Sequence, residues 1–147
     1  MPPGLLDRPR LPSSILFMCT YNAVRSPMAA ALLRLSHGKK VYVASAGVRA
    51  GEADGFVMAA MAELGADLRR HYPTLLEDLE DTNFDLIVTL SPEAHHRALE
   101  LTRTQSVEVE YWPTEDPSVA EGNREERLAA YRMVRDKLAD RIADRFP

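Results

Sequence analysis

Hydrophobic and polar positions alternate along this chain in two different periods, and the periods take turns. Short apolar runs occupy residues 14–18, 40–46, 84–90 and 107–112, each too brief for a helix and rich in the residues that favour strands. The run at 84–90 (Phe-Asp-Leu-Ile-Val-Thr-Leu) is nearly continuous, as expected for the centre of a parallel sheet buried on both faces. Between these runs the spacing turns helical. Met28, Ala31, Leu32 and Leu35 share one face of a segment at 27–35, and Pro27 is tolerated in a first turn. An Ala- and Met-rich helix is predicted at 54–64, stopping at Gly65 as the residue just past its end. Residues 73–79 read as a short helix or turn. Ser91 caps a helix running to about Leu101. A last helix over 124–146 begins at Asn123 with Glu126 three residues on, a capping box, and carries the stripe Leu128, Tyr131, Val134, Leu138 and Ile142.

Four strands separated by helices imply crossover connections. The expected fold is α/β: a single-domain three-layer sandwich, with a four-stranded parallel sheet covered by helices on both faces. The domain is placed at 14–147, behind a flexible, proline-rich N-terminal arm at 1–13. No internal repeat is present. Ligands of such sheets sit beyond the carboxyl ends of the strands. Cys19, Ser91 and Asp116 all follow strands, so all three can open onto one face.

Composition narrows the picture. With 46% hydrophobic and 27% charged residues the chain matches an ordinary globular protein, and a net charge of -4 argues against a nucleic-acid partner. Cys19 is the single cysteine, which excludes an internal disulfide and points to a reducing, cytoplasmic setting. No apolar run reaches the roughly 18 residues of a membrane span, so no membrane is expected either.

The chemistry concentrates in one segment. Cys19 ends an apolar strand; Thr20, Tyr21, Asn22, Ala23 and Val24 follow, then Arg25, Ser26 and a helix. A helix N-terminus and a guanidinium both favour a thiolate, the reactive form of cysteine. A loop curled around its own N–H groups cradles an oxyanion such as phosphate, and Arg25 completes it with a two-pronged fork. Ser26 can donate to the sulfur. The plainer alternative, a small buried cysteine with no chemistry, does not explain why arginine, serine and a helix start follow in that order.

The run Cys19-Thr-Tyr-Asn-Ala-Val-Arg25-Ser26 resembles the C-x5-R-S loop of the low-molecular-weight protein tyrosine phosphatases and related arsenate reductases. Ser45-Ala46-Gly47, Gly65 with His71, Asp85 to Thr89, and Asp116-Pro117 fall in the family's order across nearly the whole chain. The resemblance implies that Cys19 attacks phosphorus, that Arg25 holds the oxyanion, and that Asp116 protonates the leaving oxygen. It implies a supporting network in which Asn22 holds the loop open, bonded to Ser45, while His71 buttresses it from outside. Glu115 is a rival acid beside Asp116, which also suits a turn cap. No metal or organic cofactor is implied. His95 and His96 with Glu93 suggest a metal at first sight, but adjacent histidines on a helix diverge by about 100°, so a solvated face is the expectation.

Three departures from the family bear on function. Val24 stands where its tyrosine phosphatases often carry a second, protecting cysteine. Ser91 stands where thioredoxin-coupled arsenate reductases carry one of two relay cysteines, so an internal sulfur relay is impossible. After Asp116-Pro117 come Ser118-Val119-Ala120-Glu121-Gly122, closer to the arsenate reductase branch than to the aromatics of tyrosine-specific members; Tyr21 is an alternative aromatic wall. The expected activity is therefore a cysteine-dependent phosphatase acting on phosphotyrosine or another phosphomonoester, free or on a protein. The alternatives are an arsenate reductase using an external small thiol or a glutaredoxin-like partner, and a non-catalytic phosphate- or phosphopeptide-binding module.

Overall fold

The computed structural model describes residues 11–147. Strands β1 (Ser14–Cys19), β2 (Tyr42–Gly47), β3 (Leu86–Thr89) and β4 (Glu108–Tyr111) form one sheet in the order β2-β1-β3-β4, every pair parallel. Helices α1 (Arg25–His37), α2 (Gly55–Ala62), α3 (Pro92–Leu101) and α4 (Arg124–Arg145) supply the outer layers, with 3-10 turns at Leu76–Asp78 and Pro117–Val119.

The period-2 alternation of β1 builds two cores. Ile15, Phe17 and Cys19 face α1, α2 and α4 together with Leu86, Val88 and Leu90, while Leu16 and Met18 face Ala94 and Ala98 of α3. The thiol of Cys19 thereby belongs to the α1 side. The stripe Leu128, Tyr131, Val134, Leu138 and Ile142 is buried as the spacing predicts, and the capping box of Asn123 and Glu126 is formed in both directions. No helix among the described residues is long and apolar enough to cross a membrane.

Several boundaries differ from expectation. Cys19 is the last residue of β1, paired with Gly47, and does not lie beyond the strand. Helix α1 starts at Arg25, two residues ahead of Pro27. β2 starts late because the N–H groups of Lys40 and Val41 both turn back to the His37 carbonyl at the end of α1. Of the expected arm, residues 1–10 lie outside the described residues; 11–13 are tied to the domain. Leu11 packs on the core, the Ser13 N–H donates to Asp85 Oδ2 at 3.1 Å, and the Tyr42 N–H donates to the Ser13 carbonyl. His95 is half-buried, not on a solvated face: its ring stacks on Tyr111 at 4.5 Å and its Nδ1 lies 3.0 Å from Thr89 Oγ1.

Candidate active site

Helix α1 has no side-chain cap: Val24 occupies that position and bonds nothing with its side chain. A helix start without a capping residue leaves its N–H groups for another acceptor. Here the Ser26 N–H points at Cys19 Sγ, 3.4 Å away. The Ser26 hydroxyl lies 3.0 Å from the same sulfur, and Cys19 is 2% exposed.

The loop between β1 and α1 is held in a shape few residues adopt. Asn22 has φ of 54°, the single non-glycine residue with positive φ among those described. It is completely buried and anchors the loop three times. Its Oδ1 accepts from the Thr74 N–H at 2.9 Å, its Nδ2 donates to Ser26 Oγ at 2.8 Å, and its carbonyl accepts from His71 Nε2 at 2.8 Å. Because the Thr74 N–H can only donate, the amide cannot be flipped. The same reasoning makes Nε2 the protonated nitrogen of His71. Burial, and secondarily the charge of Arg34, holds the His71 ring below its ordinary pKa against the opposing pull of the Asn22 carbonyl.

Backbone close approach fixes the remaining side of the loop. The Thr20 carbonyl accepts from the N–H groups of Val48 and Arg49 at 2.8 and 2.9 Å. A Cβ on Gly47 would stand 2.9 Å from both the Asn22 nitrogen and the Tyr21 carbonyl carbon, so the strand end must be glycine. Thr20 Oγ1 donates to Ser91 Oγ at 3.0 Å, and Ser91 also caps α3 by accepting from the Ala94 N–H. Ser91 is thus part of the loop's support.

Arg25 is only 9% exposed and, among the described residues, has no carboxylate partner. Its NH1 donates to the Thr114 carbonyl at 3.0 Å, in the segment leading from β4 to Asp116. Cys19, Tyr21, Ala23, Val24, Arg25 and Asp116 all line one open cavity of about 370 Å³. The Asp116 carboxylate accepts from the N–H and hydroxyl of Ser118 at 2.9 and 2.7 Å, so it caps the 3-10 turn as well as facing the cavity. Glu115 points elsewhere, paired with Lys137 Nζ at 2.7 Å.

Ser45 departs from the expected network. It pairs with Phe17 inside the sheet, and no side-chain bond joins it to Asn22, whose amide bonds Ser26 and Thr74 instead. Three contributors escaped the sequence reading. Thr74 supplies the backbone donor. Asp54 and Glu52 line the cavity from the β2–α2 connection. Asp54 caps α2 through the Val57 N–H and accepts from the buried Tyr131 hydroxyl at 2.7 Å. Burial above all, then that bond and the charges of Asp54 and Asp116, raises the Tyr131 pKa, so the hydroxyl stays a donor. A carboxylate ahead of a helix was legible as a cap, but its place in the cavity follows only from the fold.

A model of the family described as low molecular weight phosphotyrosine protein phosphatase matches residues 14–144. An arsenate reductase of Shouchella clausii is 36% identical over 130 residues, covering 87% of this chain and 91% of the relative. The arsenate reductase of Bacillus licheniformis is 33% identical over 129 residues, covering 88% and 91%. Among solved structures, the YwlE arginine phosphatase from Geobacillus stearothermophilus superposes with a TM-score of 0.72 at 27% identity, over 90% of this chain and 92% of that one. The tyrosine phosphatase amsI of Erwinia amylovora matches in fold, with a TM-score of 0.71 at 21% identity over 92% and 91%.

Proposed function

Because the chain belongs to the low molecular weight phosphotyrosine protein phosphatase family, we propose that it is a cysteine-dependent phosphatase, hydrolysing phosphotyrosine or another phosphomonoester through a phosphocysteine intermediate. The observation that carries this reading is that Cys19, Arg25 and Asp116 line a single cavity, with the sulfur hydrogen-bonded to Ser26 at the loop's floor.

In the first step the Cys19 thiolate attacks phosphorus, the S–P bond forms and the ester P–O bond breaks. The departing oxygen takes its electron pair and a proton from Asp116. The N–H groups of the loop 20–24 and the Arg25 fork hold the other phosphoryl oxygens as charge shifts onto them. In the second step Asp116, now a carboxylate, removes a proton from a water that attacks phosphorus. The S–P bond breaks, its electrons return to sulfur, and the Ser26 hydroxyl stabilises the thiolate. Phosphate in the loop, as substrate group and product, is the one ligand this cycle requires.

A second reading has its own support: relatives sharing 33–36% identity are named arsenate reductases. In that cycle arsenate gains two electrons from Cys19 and one external thiol, which leave as a mixed disulfide and require a further thiol to regenerate the enzyme. Cys19 has no second cysteine in the chain to serve as either.

One paired assay separates these readings. Phosphate release from an aryl phosphate, and arsenite formed from arsenate with and without added small thiols, are measured for wild type and Cys19→Ser. Thiol-independent phosphate release that disappears in Cys19→Ser is the expected result. Thiol-dependent arsenite with negligible hydrolysis overturns the phosphatase reading in favour of the reductase. Tight phosphate binding with neither activity identifies a binding module.

A further inference from the structure

The walls of the cavity carry an unbalanced charge. Among the described side chains that line it, Arg25 is the one cation, and it lies at the buried floor beside Cys19. Three carboxylates, Glu52, Asp54 and Asp116, line the same cavity. Among the described residues, none of them is paired with a lysine or arginine. Asp54 is held by the Tyr131 hydroxyl and the Val57 N–H, Asp116 by Ser118, and Glu52 is exposed with no side-chain partner among the described residues. Several carboxylates elsewhere on the surface do have such partners. Glu63 lies on Arg132 and Arg135 at 2.6 and 2.7 Å, Glu93 on Arg49 at 2.8 Å, Glu110 on Arg145 at 2.8 Å and Glu115 on Lys137 at 2.7 Å. Even Arg127, on the helix that holds Asp54, lies over the Phe56 ring at 4.6 Å and not on a cavity carboxylate. The three cavity carboxylates are left without a cation partner among the described residues, as are others away from the cavity such as Glu77, Glu80 and Glu121; what sets the cavity apart is that three carboxylates share one wall with a single cation.

A phosphoryl group seated on the loop beside Arg25 must project the remainder of its substrate outward, between those carboxylates. Positive charge on that remainder gains attraction; negative charge meets repulsion. Exposed Tyr21 and Val119 add apolar surface, Tyr21 in the cavity wall and Val119 beside its Ser118 edge, which suits a polypeptide more than a small ion. Resting on the phosphatase reading above, we infer that the substrate is a phosphorylated peptide segment carrying lysine or arginine next to the phosphorylated side chain. Glu52 and Asp54 are its specificity-determining residues. Asp54 is fixed in place by the Tyr131 hydroxyl, and Glu52 stands freely at the mouth.

The test uses three phosphopeptides that differ only in flanking residues (Lys, Ser or Glu), with an aryl phosphate that bears no charge beyond its phosphoryl group as reference. Wild type is expected to favour the lysine-flanked over the glutamate-flanked peptide by about tenfold in kcat/KM at low salt, the size expected of two solvent-facing charge pairs. That ratio contracts at high salt, where exposed charges are screened. Glu52→Gln and Asp54→Asn each move the ratio toward one, and Asp54→Asn keeps an amide oxygen to cap α2. Binding of the same peptides to Cys19→Ser reads the preference without turnover. Failure of hydrolysis on every substrate, with the lysine preference intact in binding, refutes the phosphatase reading and keeps the recognition inference. Hydrolysis with equal rates, or a preference for the glutamate flank, refutes the recognition inference alone. A ratio that stays unchanged in both variants removes Glu52 and Asp54 from the role.

Discussion

Asn22 Nδ2 lies 2.8 Å from Ser26 Oγ, and because an amide nitrogen can only donate, that bond occupies a lone pair of the hydroxyl and leaves its proton for Cys19 Sγ, 3.0 Å away. The direction of the Ser26 proton is thus set by a residue that does not itself touch the sulfur. Ser26→Ala removes this donor from the thiolate while leaving the Ser26 backbone N–H in place. A hydrogen bond to a charged group is worth enough that kcat for aryl phosphate hydrolysis should fall by about tenfold to a hundredfold. The loss should fall on breakdown of the intermediate, because sulfur is the leaving group there. Rapid-quench kinetics check this: a phosphate-release profile limited by the first step, with no accumulated phosphoenzyme, counts against it.

Asn22 itself combines a left-handed backbone with three hydrogen bonds, one of them fully buried. Asn22→Ala keeps the backbone requirement, loses the amide, and strands the Thr74 N–H. A cost of about 2–4 kcal/mol in unfolding free energy is expected. Asn22→Gly loses the same bonds but adopts positive φ freely, so it should be less destabilised than the alanine variant. Denaturant unfolding of the pair decides the matter; equal midpoints would mean that the positive φ carries no strain.

Gly47→Ala should damage activity more than its small volume suggests. The added Cβ would meet three backbone atoms of the loop, at Asn22, Tyr21 and Thr20, between 2.9 and 3.0 Å, and backbone cannot yield as a side chain can. About 1–3 kcal/mol of destabilisation is expected, with a larger proportional loss in kcat/KM because the displaced atoms form the oxyanion cradle. Thermal melting and phosphate release measured on the same variant test the prediction. A melting shift with unaltered kinetics would refute it.

How much of this was legible in the sequence follows from locality. The strand at 84–90 was readable because a strand buried on both faces must be apolar throughout, and α4 because its stripe and its Asn123–Glu126 box lie within a few turns. Cys19, Arg25 and Ser26 were readable for the same reason: one loop carries them all. What escaped depends on contacts far apart along the chain. The Thr74 donor reaches Asn22 across 52 positions through its backbone, which leaves no side-chain signature. Asp54 meets Tyr131 across 77 positions. The expected Asn22–Ser45 bond failed because sheet register, which pairs Ser45 with Phe17, decides where that hydroxyl lies.

Stability should fall on mild acidification through His71. Its ring is held below the ordinary value of 6.5, chiefly by burial. Between the folded and unfolded values the unfolded chain binds more protons, so the stability due to neutral His71 is complete above 6.5 and is lost as pH drops toward the folded value. His71→Gln, which keeps an amide donor for the Asn22 carbonyl but does not titrate, should show a smaller fall in Tm between about pH 7.5 and 5.5 than wild type. Parallel curves for the two proteins would exclude His71 as the source.

Asp116 and Glu115 are adjacent in sequence and opposite in setting, which makes them a built-in control. Asp116 faces the cavity with Cys19, whereas Glu115 is tied to Lys137 on α4. An acid matters in proportion to how badly the departing oxygen needs a proton. Asp116→Asn should therefore slow hydrolysis of an alkyl phosphate by about a hundredfold or more, while an activated nitrophenyl ester, which leaves nearly unaided, loses much less. Glu115→Gln breaks one exposed ion pair and should change either rate by less than about twofold. A plot of log kcat/KM against leaving-group pKa checks both variants at once. The slope should steepen for Asp116→Asn and stay at the wild-type value for Glu115→Gln; an equal drop across all leaving groups in Asp116→Asn would take that carboxylate out of the acid role.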